Sequence, residues 1–296
     1  MRANDPAIGV LTFNCESSLA ATLAAARKVS TAIAVLDSYS TDKTLEIARS
    51  FGAVIHQRAF TSYTDQRNSL IDLLSQQSRW QLHLDADEEM DDTLVSAIKA
   101  LTLTDAEVDA YLMRRDVVFL GKQLRWGGAS SVHCRLFRSG TVRVEQRAYD
   151  QHFLPPARTQ LLPGAMRDHQ AISLTDWSHK HVKWAQVEAL EAASSHVGSQ
   201  PEGQVAPKAA GNAIERRRYL RKLYYACPPL LRGFGYVVWR LIVQLGFLDG
   251  KAGIIYHVLQ GFWFRFLVDA LVYEKYRGKP YHQPPQAHGV GHPLAK

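Results

Sequence analysis

Trp80-Gln-Leu-His-Leu-Asp85-Ala-Asp87-Glu88-Glu89 is an apolar run that ends in a crowd of carboxylates. Residues 80–84 read as a short buried strand, and Asp85 and Asp87 fall where that strand stops. Along an extended chain, residues two apart point the same way, so both carboxylates can address one object. Four acids in five residues repel one another unless a cation or a helix N-terminus neutralises them. A hard divalent ion fits, because Mg²⁺ binds through one or two carboxylates plus substrate phosphates. The competing reading makes Asp87 to Asp92 a helix cap and acidic first turn before Thr93–Leu101.

The residues upstream favour a ligand. Strand-like Ile8–Asn14, Ala32–Asp37 and Ala53–His56 alternate with helix-like Leu19–Val29, Thr41–Phe51 and Thr64–Leu74. That alternation predicts parallel strands with helices on both faces. The strands are apolar without polar alternation, as strands buried on both sides are. In such a sheet, ligands sit beyond the carboxyl ends of the strands. Thr12 and Asn14, Asp37, and Asp85 with Asp87 all lie at those ends. Asp42 reads as a first-turn residue of the helix that follows it. On pattern alone, Asp37 suits a ligand contact as well as a structural role, and Arg67 suits a solvated helix position.

These residues carry a resemblance. Thr12-x-Asn14, Val35-Leu-Asp37-Ser-x-Ser40-Thr41-Asp42-x-Thr44, Gln66-Arg67-Asn68 and Leu84-Asp85-Ala-Asp87-Glu88 resemble family 2 glycosyltransferases. The similarity is greatest to bacterial lipopolysaccharide-core β-glucosyltransferases and their exopolysaccharide relatives. It spans roughly residues 7–92 and resumes at Phe119-Leu-Gly-x₄-Trp126-Gly-Gly, Arg135-Leu-Phe-Arg and Gly246–Gly253. The resemblance implies an α/β fold of GT-A type, with a mostly parallel sheet flanked by helices. It also implies inverting hexose transfer from a nucleotide-diphosphate sugar, UDP-linked, with a divalent metal, Mg²⁺ or Mn²⁺. By the same likeness, Thr12, Asn14, Asp37 and Arg67 hold the donor's nucleoside part. Asp85 lies near ribose, diphosphate and metal, Asp87 binds the metal, and His169, or else His152, completes the metal site.

Inversion needs a general base for the acceptor hydroxyl. Val142-Arg-Val-Glu145-Gln-Arg147-Ala-Tyr149-Asp150-Gln-His152-Phe153 supplies candidates after a hairpin, with Asp150 first and Glu145 second. The relatives carry His-Glu here, whereas this chain has Tyr149-Asp150. A loop Asp making a local turn is the plain alternative. A non-catalytic nucleotide-sugar-binding or scaffold protein is the alternative to an enzyme, and the altered base region is its support. Trp126-Gly127-Gly128 reads either as an acceptor-lining loop or as a hydrophobic anchor.

Composition adds location. The chain has 296 residues, 46% of them hydrophobic, and a net charge of +7. Its charge is split: residues 205–296 hold 14 Lys and Arg against 4 Asp and Glu, while residues 1–204 hold 21 against 24. Cys15, Cys134 and Cys227 form neither a disulfide framework nor a close metal-ligand pair, which suits a reducing cytosol. The N-terminus shows no signal-peptide pattern. The expected organisation is a catalytic domain over 1–195, a linker over 196–213, a basic, aromatic helical region over 214–276 and a flexible tail over 277–296. Within that helical region, no stretch reaches the roughly 18 apolar residues of a spanning helix. On a helix, His257, Arg265 and Asp269 share one sector, opposite Ile255, Leu259, Phe262, Trp263 and Phe266. After the basic residues Arg216–Lys222, this reads as attachment to an anionic membrane surface, with a second subunit as the alternative. The location expected is the cytoplasmic face of a bacterial inner membrane, and the acceptor a lipid-linked saccharide or lipopolysaccharide core. Nothing supports nucleic-acid recognition.

Overall fold

The computed structural model describes residues 5–105, 107–147, 151–170, 173–194, 205, 207–211 and 213–276. The expected linker lies mostly, and the expected tail wholly, outside the described residues. The chain divides into two compact units, Met1–Val117 with Ser131–Glu145 and Gln151–His169, and Val118–Ser130 with Gln146–Asp150 and Gln170–Lys296.

The first unit opens with the alternation read from sequence: β1 (Ala7–Thr12), α1 (Leu19–Arg27), β2 (Ile33–Asp37), α2 (Thr44–Ser50), β3 (Val54–Gln57), α3 (Tyr63–Ser75) and β4 (Trp80–Asp85). These four strands are parallel, in the order β3-β2-β1-β4. The short strand β5 (Glu88–Met90) and α4 (Asp92–Lys99) follow, then β6 (Ala110–Phe119), β7 (Lys122–Gln123), β8 (Ser131–Arg138) and β9 (Thr159–Gln170). The later strands complete a nine-stranded sheet in which β8 runs antiparallel to β4 and to β6, and β5 antiparallel to β9. The sheet is therefore mixed, its parallel half being the one visible as strand–helix alternation. The cap reading of the acidic run holds at Asp91, whose carboxylate accepts from Leu94 N at 2.8 Å. Glu88 and Glu89 belong instead to β5, where Glu88 pairs with Asp168 of β9.

Apolar side chains leave both faces of β1, as strand alternation requires. Ile8 and Val10 join Leu19 and Leu23 of α1 and Leu94 and Ile98 of α4 in one core. Ala7 joins Leu70 and Leu74 of α3 in the other. Gly9 makes the second contact close, since a Cβ there would stand 2.9 Å from the Leu70 and Leu74 side chains. A glycine at that strand position thus sets how near α3 comes to the sheet.

The second unit is helical: α5 (Leu174–Ser194), α6 (Ala213–Ala226), α7 (Leu231–Val238), a π-helical turn Trp239–Val243, a 3₁₀ turn Gly246–Asp249, α8 (Gly250–Tyr256), a π-helical stretch His257–Trp263 and α9 (Phe264–Tyr276). Ala185, Ala189 and Ala192 give α5 a small-residue face that admits Phe264, Val268 and Val272 of α9. Two motifs far apart in sequence meet here. The Asp249 carboxylate accepts from the backbone N–H groups of Arg125 and Trp126, at 3.0 and 2.9 Å. Arg240 Nε donates to Gly127 O at 2.7 Å. The Trp126-Gly127-Gly128 turn is thereby fixed to Gly246–Gly253, with the Trp126 indole exposed.

Two sequence expectations change in this unit. Gly246–Lys275 forms one helical run of 30 residues. By length and composition alone it reaches the size of a spanning helix, which a count of uninterrupted apolar residues missed. The polar sector on this run also faces inward: His257 and Asp269 are buried, and Arg265 pairs with Glu188 of α5 at 2.8 Å.

Candidate active site

Strand register brings the predicted residues to one edge of the first unit. Thr12 stands beside Asp37, and Leu11 beside Asp85, so the ends of β2, β1 and β4 are adjacent. Asp37 is fully buried and knits the first two loops together. It accepts from Thr12 Oγ1 at 2.9 Å, from Ser40 N at 2.8 Å and from Gln57 Nε2 at 3.3 Å. Asn14, in the left-handed region at φ 46°, accepts from Thr41 N through Oδ1 at 2.8 Å and donates through its backbone to Ser40 Oγ at 2.9 Å. Asp42 accepts from Thr44 N and Glu16 N, consistent with its reading as a local turn residue. Asn14 and Tyr39, in the two loops that follow these strands, are exposed, and Ser40 is half-buried.

Three consecutive residues of α3 reach three different segments, because successive helical side chains diverge by about 100°. Gln66 Nε2 donates to Ser38 Oγ at 3.0 Å and to Arg58 O at 2.9 Å. Asn68 Oδ1 accepts from Val144 N at 3.0 Å, anchoring the hairpin that carries Glu145. Arg67, fully buried, donates to Leu84 O at 3.2 Å and pairs with Asp85 Oδ1. Arg67 is thus neither solvated nor aimed at a ligand alone, because it is the partner of the first aspartate.

Asp85 has a second cation, Arg135 Nη2, at 2.7 Å. The same guanidinium nitrogen reaches Glu88 Oε1 at 2.6 Å, while Glu88 Oε2 accepts from Asp85 N at 3.0 Å. Arg115 lies 3.9 Å from Glu88 and 3.7 Å from Asp168, closing a chain of three arginines and three acids. Tyr63 OH accepts from Arg67 and donates to Asp85 Oδ1, at 3.1 Å in each case. Burial pushes the Asp85 carboxyl up, but the Arg135 and Arg67 guanidinia outweigh it and hold it far below the usual carboxylate range. Burial dominates for Glu88, whose carboxyl is raised. Sequence reading gave Arg135 no role and passed over Arg115, Tyr63 and Asp168. For Arg115, Arg135 and Asp168 the one signal was a charge within a strand, and Tyr63, on α3, carried none.

Asp87 lies half-buried on the turn between β4 and β5, and its carbonyl accepts from His169 N at 3.1 Å. The His169 ring turns to Glu89 Oε2, 3.1 Å away. Glu145 is fully buried, its carboxylate accepting from His152 N at 2.7 Å across the hairpin, and the His152 ring stacks on His133. Asp150 lies outside the described residues. A model for glycosyl transferase family 2 matches residues 7–157, about half of the chain. The chain belongs to this family.

No curated protein matches this glycosyltransferase in sequence. Among solved structures, S. aureus TarS 1–349 is 12% identical, covering 94% of this chain and 93% of its own, with a TM-score of 0.44. The same TarS fragment in complex with UDP is 13% identical over 96% and 95%, with a TM-score of 0.43. Glucosyl-3-phosphoglycerate synthase from Mycobacterium tuberculosis, with phosphoglyceric acid, is 14% identical over 70% of this chain and 85% of its own, also at 0.43. Likeness this distant assigns no residue a role.

Among the described residues, no three His, Cys, Asp or Glu side chains stand together as a metal cage. In particular, Asp85, Asp87 and His169 form no such trio. Asp85 is compensated by two arginines and Asp87 lies half-buried on the turn that follows, so among the described residues the edge supplies few carboxylates to a cation. That fits an ion held mainly by substrate phosphates, as Mg²⁺ commonly is. The arginine chain also predicts a stability effect. Arg135→Met should destabilise the protein by about 3–5 kcal/mol, because Asp85 and Glu88 then share a buried site without their common cation. Thermal and urea unfolding of the variant measure this, and a loss below about 1 kcal/mol would show the pair to be solvated.

Proposed function

We propose that this glycosyltransferase moves a hexose, with inversion, from a UDP-sugar to a lipid-linked saccharide or lipopolysaccharide-type acceptor at the cytoplasmic face of a bacterial inner membrane. The observation that carries the reading is the strand edge where Thr12, Asp37 and the Asp85-Ala-Asp87 turn stand in adjacent register. In this reading Thr12, Asn14, Asp37 and the Ser40 loop receive the nucleoside, with Asn14 and Ser40 supplying the accessible polar groups. Arg67 and Arg135 place positive charge behind the diphosphate while holding Asp85 ionised. Asp87 holds a divalent cation, which when bound neutralises the diphosphate leaving group. The carboxylate of Asp150 takes the acceptor hydroxyl proton. The new acceptor oxygen–C1 bond forms as the bond from C1 to the diphosphate oxygen breaks, and UDP leaves.

Purified protein incubated with UDP-, GDP- and dTDP-sugars, with Mg²⁺ or Mn²⁺, tests the donor class. Slow hydrolysis of one UDP-sugar, abolished by EDTA, is expected. Hydrolysis that persists in EDTA would remove the cation from the scheme. Donor binding without turnover, even with lipid-linked acceptors, would make this member a binding protein.

A further inference from the structure

The segment from Leu231 to Asp249 is folded inside out. Its charged residues, Arg232, Arg240 and Asp249, all turn inward. Arg232 pairs with Asp269, Arg240 donates to Gly127 O, and Asp249 accepts from Arg125 and Trp126. Its large apolar residues turn outward: Leu231 is 71% exposed, Phe234 63% and Ile242 62%, with Trp239, Val243 and Leu248 exposed beside them. A water-facing helix shows the opposite arrangement, and apolar residues concentrated like this mark an interaction surface.

Charge identifies the occupant. α6 presents exposed Arg216, Arg217 and Lys222, and exposed Lys251 follows the apolar segment. The end of α6 is fixed to α7, since Arg232 Nη1 donates to Tyr225 O at 3.2 Å and Tyr224 packs edge-on against Tyr236. A second copy docked by two-fold symmetry would set this basic surface against an equally basic one. An anionic bilayer accepts both features, apolar side chains below its surface and cations at its headgroups. We infer that Leu231–Leu248 inserts into the headgroup–acyl boundary of an anionic membrane, with the exposed cations of α6 and Lys251 at the lipid phosphates. This rests on the membrane location proposed above and deepens it. The inserting element is the α7 segment, and attachment is by apolar insertion as well as charge.

Flotation of the full-length protein with phosphatidylglycerol-containing and pure phosphatidylcholine vesicles, at 0.1 and 1 M NaCl, tests this. Wild type should float with anionic vesicles and keep a substantial bound fraction in 1 M NaCl. Phe234→Glu/Ile242→Glu should lower vesicle affinity more than about tenfold at both salt concentrations. Arg216→Glu/Arg217→Glu should lower it only with anionic vesicles and low salt, by about fivefold per residue. Both variants alter exposed residues, and an unchanged circular dichroism spectrum and melting temperature confirm their folding. UDP-sugar hydrolysis in solution should be unaffected in both. The inference is overturned if wild type stays unbound, if Phe234→Glu/Ile242→Glu floats like wild type, or if that variant merely converts a soluble dimer to a monomer. Intact hydrolysis without flotation would sink the docking surface alone. Flotation without hydrolysis would sink the donor reading alone.

Discussion

Asp87→Ala should abolish cation-dependent donor binding while leaving the fold intact. The two aspartates of the Asp85-Ala-Asp87 turn differ in what holds them. Asp85 sits between Arg67 and Arg135, and Asp87 lies half-buried on the adjoining turn. Losing an oxygen ligand weakens the bound cation, and the diphosphate charge is then poorly screened. Calorimetric titration of UDP with and without Mn²⁺ reads this without turnover. In wild type the cation should tighten binding, and in Asp87→Ala that gain should fall by about 10²-fold. Asp85→Ala should behave differently, because it leaves two guanidinia short of a partner and should lower the melting temperature as well as donor affinity. If Asp87→Ala keeps its cation-dependent affinity, the carboxylate is structural and the cation rests on other groups.

That contrast also marks how far the sequence could be read. The parallel half of the sheet was legible because β1, β2 and β4 are apolar runs closed by polar residues, at spacings only strand–helix alternation gives. The antiparallel half was harder. β8 carries His133 and Arg135, and β6 carries Arg114, Arg115 and Asp116, so neither reads as a buried strand. Those charges are the site's own support, since Arg135 and Arg115 enter the sheet to meet Asp85, Glu88 and Asp168. Local pattern cannot reveal a partner 50 residues away. The helical region was legible as helix, but not in the placing of its polar side. Hydrophobic periodicity assumes that polar residues face water, yet His257 and Asp269 are buried. Periodicity found the two sides of that helix but could not tell that its polar sector packs inward.

Asp150→Asn should depress transfer by about 10²–10⁴-fold with donor binding unchanged, the scale of a lost general base. The competing carboxylate, Glu145, is fully buried and accepts from His152 N at 2.7 Å. A group so placed stabilises the hairpin, and an acceptor hydroxyl reaches it only if that hairpin opens. Glu145→Gln retains an oxygen acceptor for His152 N, so it should cost less than about tenfold in rate, with a modest loss of stability. Asp150 follows five residues later and carries its carboxylate on a side chain one methylene shorter than that of Glu145. Single-turnover transfer and UDP titration on both variants complete the comparison. Wild-type-like transfer by folded Asp150→Asn, together with a large loss in Glu145→Gln, would move the base to Glu145 and require the hairpin to open during the reaction.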